Sequence, residues 1–225
     1  YREDEESYKV WQREVGFPEE RIVRLSEDTN FWPANAPELG PNGPCGPCSE
    51  IFFDKGKEYG CQRPECNPAC SCGRFVEVWN LVFTQYNRVG PYKLEPLPQK
   101  NIDTGMGLER TASILQGKEN NFQIDIFIPL VSFVQENIPE QGNNTHLIYA
   151  IADHIRAVVF CIGDGIIPSN ELRGYVVRKL LRRASSFSFI LGKSKPFLYK
   201  AAFVVSEIFK DVYPELDKNK EQISR

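Results

Sequence analysis

The most informative part of the sequence is Asp103-Thr104-Gly105-Met106-Gly107-Leu108-Glu109-Arg110, where two glycines precede an arginine. Residues 76–86 upstream predict a strand, and the residues downstream predict a helix whose core-facing positions are Leu108, Thr111, Ala112 and Leu115. Glycines at such a junction let the backbone approach a flat ligand, because they carry no Cβ. Asp103 then supplies a carboxylate before the glycines, and Arg110 supplies a guanidinium that can stack on a base or pair with phosphate. Taken alone, the stretch is equally compatible with a tight turn that carries a surface arginine.

Other motifs surround this stretch in a fixed order: Asn30-Phe31-Trp32, GPCGPCSEI at 43–51, EVWNLVF at 77–83, ADHIR at 152–156 and PSNELRGY at 168–175. Together they resemble the back half of an alanyl-tRNA synthetase catalytic domain, and the resemblance covers nearly the whole chain. It implies a class II aminoacyl-tRNA synthetase in which residues 103–110 correspond to the third signature motif. The first two class II signature motifs have no counterpart in this sequence. On this resemblance we expect a fragment that lacks half of the ATP site and is inactive by itself.

Composition limits the classes of protein that fit. The chain has 225 residues, enough for one large domain or two small ones, and 41% are hydrophobic, which suffices for a core. A formal net charge of −3 argues against general polyanion binding. We find no apolar run of membrane-spanning length and no signal peptide, so no membrane partner is expected. Seven cysteines, five of them between Cys48 and Cys72, favour a reducing compartment: the cytoplasm, or an organelle matrix.

The predicted fold class is α+β, with part of a class II antiparallel sheet and its helices followed by an all-helical domain. We place the first domain at residues 1–117 and a helical tRNA-recognition domain at 118–225. Residues 76–86 are apolar on both faces and predict a central, covered strand. Residues 50–54 predict a second strand, 32–47 a loop, and Pro96 and Pro98 an interruption. Helices are predicted at 4–15, 124–134, 145–162, 169–192 and 196–212.

The predicted strand at 76–86 carries an unusual amide. Because side chains alternate, Asn80 lies between Val78 and Val82 on one face. A buried amide without a partner costs about 1–3 kcal/mol, so Asn80 either meets a neighbouring backbone group or holds a small amphiphilic ligand. The resemblance implies an alanine pocket in which Asp103 pairs with the ammonium group. Its implied lining is Trp32, Asn80, Val82, Asp103 and Gly105, although a tryptophan in a loop can also be a hydrophobic plug.

The resemblance also implies the chemistry, which is attack of the alanine carboxylate on the ATP α-phosphate followed by acyl transfer. Such a step needs positioning and charge neutralisation more than acid–base groups. The expected catalytic residues are Asp103 and Arg110, and the expected ATP-binding residues are Gly105, Gly107 and Arg110. Mg²⁺ is expected to assist. Glu50 and Glu77 are candidate carboxylates, but we interpret both as structural, since strand alternation puts Glu77 on the face opposite Asn80.

A cysteine-rich insert at 55–73 carries the pattern Cys61-x4-Cys66-x3-Cys70-x-Cys72. Four thiols within so short a segment can surround one tetrahedral ion. The insert has almost no core of its own, so a metal would supply its folding free energy, and we expect structural Zn²⁺. The alternative is free thiols on a mobile loop. Cys45-x2-Cys48 is a rival source of ligands, which we interpret instead as a rigid turn.

The predicted helix after Ser169 has a basic side: Arg173, Arg178, Lys179, Arg182 and Arg183. Like charges at i, i+4 destabilise a helix unless an anion lies nearby, so this side predicts contacts with a phosphate backbone. The alternative is a solvated face. Asn170 lies beside it, and asparagine can read base edges. The resemblance implies that Asn170 reaches the acceptor-stem base pair that identifies alanine tRNA, and the expected tRNA-binding residues are Asn170, Arg173, Arg178 and Arg182.

Two functions from different classes follow. The first is an alanine–tRNA ligase with alanine, ATP and tRNA(Ala) as partners, and the second is a non-catalytic RNA-binding zinc module derived from the same fold. Asn80, Asp103 and Arg110 occur together, which favours the ligase, because an RNA-binding module has no use for a valine-lined pocket. A Rossmann nucleotide binder is disfavoured, because the glycines follow a late strand outside any βαβ unit. The Asp153, His154 and Arg156 trio is interpreted as a structural hydrogen-bonded cluster.

Overall fold

A computed structural model describes residues 1–139 and 144–225, and these form two compact units, Tyr1–Gly117 and Lys118–Arg225. The first unit holds a four-stranded antiparallel sheet with helices, and the second unit is built of helices. The α+β class predicted from the sequence, with a helical C-terminal part, is therefore confirmed.

The chain starts with α1 (Glu5–Lys9), which continues as a π-helical turn at Val10–Glu14. Asp4 caps α1, because its carboxylate accepts a hydrogen bond of 2.9 Å from the backbone N–H of Ser7. The helix predicted at 4–15 is thus present, with its second half wound more widely than an α-helix.

The sheet contains β1 (Phe31–Trp32), β2 (Gly43–Asp54), β3 (Phe75–Gly90) and β4 (Lys93–Met106), in that spatial order. The loop predicted at 32–47 is wrong at its end, since β2 already begins at Gly43. Gly46 explains why a glycine- and proline-rich segment can join the sheet. A Cβ at position 46 would lie 2.0 Å from the carbonyl oxygen of Phe83, so only a glycine permits this close approach of β2 to β3.

Strand β3 is central, as predicted, because it pairs with β2 on one side and β4 on the other. The prediction that both of its faces are covered is wrong for the part of the chain that the structure describes. Within β3 only Val82 and Arg88 are buried, and Trp79 is exposed. Pro96 and Pro98 do not interrupt the strand β4. They are tolerated because β4 lies at the edge of this sheet, where a missing N–H need not break a ladder.

Helix α2 (Leu108–Leu115) follows β4 where the sequence predicts it, but its predicted buried side is wrong. Leu108 and Leu115 are 69% and 82% exposed, and Ser113 is the buried residue of the helix. Ser113 can be buried because its hydroxyl donates a hydrogen bond of 2.8 Å to the carbonyl oxygen of Arg110. Periodicity located this short helix but not the side that packs against β3.

The second unit contains α3 (Ile128–Asn137), α4 (Thr145–Gly163), α5 (Leu172–Ile190), α6 (Ala201–Phe209) and α7 (Pro214–Ile223). The apolar stripe predicted for 145–162 is the centre of its core. The buried residues of this stripe are Ile148, Ile151, Ala152, Ile155, Val158 and Val159. Helices α3, α5, α6 and α7 all pack against α4. We expected no apolar run of membrane-spanning length, but α4 is long and apolar enough to span a membrane. Its apolar stripe faces the core of this unit.

The end of the chain differs from the prediction of one helix at 196–212. A short 3₁₀ turn at Leu198–Lys200 precedes α6, and α7 was not predicted. Signals for α7 were present in the sequence, since Pro214 stands at its first turn and Glu215 and Asp217 are acidic residues there. Leu216 of α7 packs so closely on α4 that a Cβ at position 163 would lie 2.6 Å from its Cδ2.

Candidate active site, metal centre and nucleic-acid interface

The pairing of β3 with β4 brings four predicted alanine-pocket residues together. Asn80 lies opposite Gly105, and Val82 lies opposite Asp103. Residues directly opposite each other in an antiparallel pair point to the same face of the sheet, and so do residues two apart on one strand. The four positions therefore form a compact square on one face, although the two residues of each cross-strand pair are more than 20 positions apart in sequence.

Strand β2 extends this row by two residues. Cys48 pairs with Val82, and Glu50 pairs with Asn80. The Asn80 side-chain nitrogen, Nδ2, donates a hydrogen bond of 2.9 Å to Glu50 Oε1. The other end of the same amide, Oδ1, is buried and has no hydrogen-bond partner among the described residues. Asn80 is thus met by a carboxylate from β2 rather than by a neighbouring backbone group.

A β-bulge in β3 corrects the predicted position of Glu77. Neighbouring residues Ile51 and Phe52 of β2 pair with Trp79 and Glu77 of β3, so Val78 is an extra residue without a partner on β2. The extra residue resets the alternation, and Glu77 comes to the face that carries Asn80. The prediction from simple alternation, which put Glu77 on the opposite face, is therefore wrong.

Two titratable groups of β2 on this face are perturbed. Burial raises the pKa of Glu50 to about 7, and the negative charge of Glu77 adds to the rise. Burial also raises the pKa of the Cys48 thiol to about 12, with a further contribution from Glu50. Cys48 is therefore a protonated, unreactive thiol at neutral pH and contributes a small apolar surface beside Val82.

Arg110 of α2 and Gly107, which immediately precedes this helix, both contact the bulge. Arg110 Nη1 donates a hydrogen bond of 3.0 Å to the carbonyl oxygen of Glu77, and it lies 3.5 Å from the Glu77 carboxylate. The N–H of Gly107 donates to the carbonyl oxygen of Val78 at 2.9 Å. The bulge therefore holds both the second glycine and the arginine of the 103–110 stretch, while Asp103 remains exposed on β4.

Trp32 lies at the margin of the same face. It pairs with Gly46 of β2, which is two residues from Cys48, so the strand alternation puts it on the side of Cys48 and Val82. One strand separates it from Asn80. Its side chain is 51% exposed, which disagrees with the alternative of a buried hydrophobic plug.

Sequence reasoning missed a cavity of about 630 Å³ in the first unit. Residues 49–54 of β2 line it together with the segment around α1 and part of the cysteine-rich insert. Glu50 borders this cavity, whereas Asn80, Asp103 and Gly105 do not. The row on β3 and β4 is therefore separate from the lining of this cavity.

The four cysteines of the insert form a cluster. Their Sγ atoms all lie within 4.8 Å of one another, with Cys61 and Cys70 separated by 3.5 Å and Cys66 and Cys72 by 3.7 Å. A tetrahedral Zn²⁺ with Zn–S bonds of about 2.3 Å needs S···S distances of about 3.8 Å, so the donor set fits this ion. A backbone hydrogen bond from Arg74 lowers the pKa of Cys72 to about 7, which favours a thiolate.

The surroundings of the cluster tie it to the sheet. The Arg74 guanidinium donates to both carboxylate oxygens of Asp54, at 2.7 and 2.6 Å. These residues flank the insert, since Asp54 ends β2 and Arg74 immediately precedes β3. Cys45 and Cys48, the rival ligands, are buried on β2. Their segment is a strand, so its interpretation as a rigid turn is wrong.

Helix α5 in the second unit exposes all of its basic residues. The side chains of Arg173, Arg178, Lys179, Arg182 and Arg183 are all exposed, whereas Val177 and Ala184 are buried. Arg178 Nη1 donates a hydrogen bond to Asn170 Oδ1, so two predicted tRNA-binding residues are in direct contact. Asn170 precedes the helix and does not cap it, since no side-chain cap is formed at this described terminus.

The turn that carries Asn170 is held against α5. Gly174 allows this, because a Cβ there would lie 2.3 Å from Ser169 Oγ and 2.5 Å from the carbonyl oxygen of Ile167. Elsewhere in the unit, His154 Nδ1 lies 3.2 Å from Asp153 Oδ2, and the Arg156 guanidinium stacks 4.4 Å from the Phe127 ring centroid. These contacts suit the structural interpretation of that trio.

Comparison with known proteins gives the family. The sequence profile described as tRNA synthetases class II (A) matches residues 1–225. The chain belongs to the class II (A) tRNA synthetase family. Its curated relatives include proteins named alanine–tRNA ligase from Desulfosudis oleivorans, 45% identical over 97% of this chain, and Desulforamulus reducens, 50% identical over 100%. Another, from Thermus thermophilus, is 50% identical over 97% of this chain.

The chain spans about a quarter of the length of these class II (A) relatives, 25% to 26%. At the junction of β4 and α2, the 103–110 stretch contacts the bulge of β3 through Gly107 and Arg110.

Proposed function

We propose that the protein containing this chain is an alanine–tRNA ligase, which forms alanyl-adenylate from alanine and ATP and transfers the alanyl group to the 3′ end of tRNA(Ala). The observation that carries the proposal is the register in which Asn80 and Val82 lie opposite Gly105 and Asp103. An amide, an apolar side chain, a carboxylate and a glycine on one face complement a small amino acid. The names of the relatives support the same activity.

Each of these residues has a role in the proposed pocket. The Asp103 carboxylate pairs with the alanine ammonium group, and Val82 contacts the methyl group. Asn80 holds the polar end of the substrate. Gly105 leaves the space opposite Asn80 free, since a Cβ there would meet nothing within 4 Å among the described residues. Trp32 closes the pocket from its margin.

ATP binds beside the pocket in this proposal. Gly105 and Gly107 let the backbone approach the nucleotide, and Arg110 stacks on adenine or pairs with phosphate. An alanine carboxylate oxygen forms a bond to the α-phosphorus, the α–β phosphoanhydride bond breaks, and pyrophosphate leaves. Asp103 and Arg110 act as catalytic residues by positioning and charge, because this step needs no acid–base group. Mg²⁺, when bound, neutralises phosphate charge.

The cysteine cluster binds structural Zn²⁺ in this proposal, and the S···S separations support it. Among the residues that the structure describes, these four thiols are the only group of three or more candidate ligands close enough to share an ion. The proposed Mg²⁺ therefore rests on the chemistry of ATP and not on a second cluster.

The second unit binds tRNA through Asn170, Arg173, Arg178 and Arg182 in this proposal. The exposed basic side of α5 supports phosphate contacts, and the turn carrying Asn170 supports base readout beside them. We also propose the cytoplasm as the location, because thiols at metal-ligand spacing persist in reducing compartments.

Alanine-dependent exchange of pyrophosphate into ATP, measured on the full-length protein, tests the proposal. We expect exchange with alanine, and charging of tRNA(Ala) by the same preparation. The second candidate, an RNA-binding zinc module without catalysis, is favoured by the cluster and the basic helix alone. RNA binding without alanine-dependent exchange, in a protein that is folded and loaded with metal, would establish that alternative.

A further inference from the structure

The Asn80 side chain is held at one end only. Its Nδ2 donates to Glu50 Oε1 at 2.9 Å, whereas its Oδ1 is buried and accepts no hydrogen bond from the described residues. The Thr104 hydroxyl does donate a hydrogen bond to Asn80, but to its backbone carbonyl oxygen, at 3.1 Å. This bond therefore does not satisfy the side-chain oxygen. A buried acceptor without a donor is unfavourable, so the arrangement is incomplete as it stands.

The chemistry of the amide determines what can complete it. An amide has a donor end and an acceptor end, and an ionised carboxylate only accepts hydrogen bonds. Glu50 therefore accepts from the NH₂ end of Asn80, and the carbonyl end stays available for a hydrogen-bond donor. An ammonium group only donates, so it fits the free carbonyl oxygen, and Asp103 lies on the same face to supply the charge.

We propose that Glu50 is a positioning residue that fixes the Asn80 amide with its carbonyl oxygen toward the substrate, so that the site selects an α-ammonium over an α-hydroxyl group. The inference rests on the proposed function and deepens it. Glu50 itself contacts Asn80 and not the substrate. The selected substrate class is small α-amino acids, and the rejected class is the matching α-hydroxy acids.

The test uses the full-length protein with Glu50→Gln, which keeps the size of the side chain. A glutamine can present either a donor or an acceptor to Asn80, so the amide orientation is no longer fixed. Assays run at pH 8, above the Glu50 pKa of about 7, where the native carboxylate is ionised. The readouts are the KM for alanine in pyrophosphate exchange and the inhibition constant of L-lactate, which carries a hydroxyl in place of the ammonium group.

In the variant we expect the KM for alanine to rise by about tenfold, as for a lost charged hydrogen bond, while the lactate constant changes by about twofold or less. The KM for ATP should not change. Glu95→Gln, on the exposed part of β4, is the matched control and should leave all three constants unchanged.

A second variant distinguishes positioning from a purely structural role. In the double variant Glu50→Gln/Asn80→Asp, the new amide at position 50 donates to the new carboxylate at position 80. The second oxygen of that carboxylate is again a free acceptor, so the preference for alanine over lactate should return. A structural role predicts no such rescue.

Three results separate the outcomes. Equal loss of alanine and lactate binding in Glu50→Gln, or an unchanged ratio of the two constants, overturns the positioning role. Failure of the double variant to restore the ratio, in a protein with native thermal stability, also overturns it. Absence of alanine-dependent exchange in the wild-type protein contradicts the proposed function itself.

Discussion

Arg110 Nη1 donates to the carbonyl oxygen of Glu77 at 3.0 Å and lies 3.5 Å from the carboxylate of the same residue. The two residues are 33 positions apart in sequence, and their contact joins the first turn of α2 to the bulged strand β3. Both side chains are more than a third exposed, so the ion pair adds little to stability. Its effect is to fix the direction of the guanidinium.

Glu77→Gln in the full-length protein should raise the KM for ATP several-fold and leave the KM for alanine unchanged. The substitution removes the charge that orients Arg110 but keeps the backbone acceptor, so the loss should be partial. The free energy of unfolding should change by less than about 1 kcal/mol. Pyrophosphate exchange at varied ATP and at varied alanine measures the two constants separately, with the exposed Glu58→Gln as control. A larger effect on alanine than on ATP would place Glu77 in the alanine pocket instead.

Asp103→Asn should weaken alanine binding far more than ATP binding, because it removes the proposed charge partner of the ammonium group. The loss of a charged hydrogen bond corresponds to about 1.5–3 kcal/mol, or roughly 10-fold to 100-fold in affinity. Asp103 is exposed on β4, so the fold should tolerate the change. Calorimetric titration with alanine and with ATP measures both affinities. Unchanged alanine affinity would mean that Asp103 only shapes the junction between β4 and α2.

The four thiols should bind about one zinc ion per chain. Replacing Cys66 and Cys70 with serine should release the ion and make residues 55–73 accessible to protease, because the insert has little core to hold it. Elemental analysis and limited proteolysis measure the two effects. Cys161→Ser is the control, since Cys161 belongs to the second unit and lies outside the cluster. A metal-free native protein whose insert resists protease would disprove the zinc site.

Arg182 and Asn170 should affect RNA binding in different ways. Arg182→Ala removes a proposed phosphate contact, so it should weaken binding to any RNA and reduce the salt dependence by about one ion. Asn170→Ala should instead reduce discrimination between matched and mismatched acceptor stems by roughly 1–3 kcal/mol. Arg178→Ala should combine both effects, because Arg178 holds the Asn170 amide. Aminoacylation kinetics on paired substrates measure discrimination. Equal losses on both stems in Asn170→Ala would assign it a local structural role.

Long, regular elements were predictable from the sequence. The stripe of α4 and the central strand β3 carry their period over many residues, so single exceptions do not obscure them. The 103–110 stretch was also placed correctly between a strand and a helix, because two glycines and an amphipathic segment mark that junction. The register between strands was not predictable, because it depends on segments that are distant in sequence. The pairing of Asn80 with Glu50 was therefore not predictable either.

The errors have local causes. The eight residues of α2 are too few for periodicity to define which side is buried. Ser113 is buried in place of the expected leucines, because its hydroxyl donates a hydrogen bond to a carbonyl oxygen of the same helix. Strand β2 begins within a glycine- and proline-rich segment because Gly46 fits against Phe83, which composition does not reveal. Helix α7 is polar apart from Leu216 and Ile223, so only its proline and acidic start marked it.

Val78, which has no partner on β2, makes this part of β3 sensitive to changes in its length. Deleting any one residue between Glu77 and Asn80 would remove the bulge and turn every side chain before it to the opposite face. Glu77 would then leave Arg110, even though no contacting residue had been substituted. Single-codon deletions in this part of β3 should therefore abolish activity where point substitutions of Val78 do not.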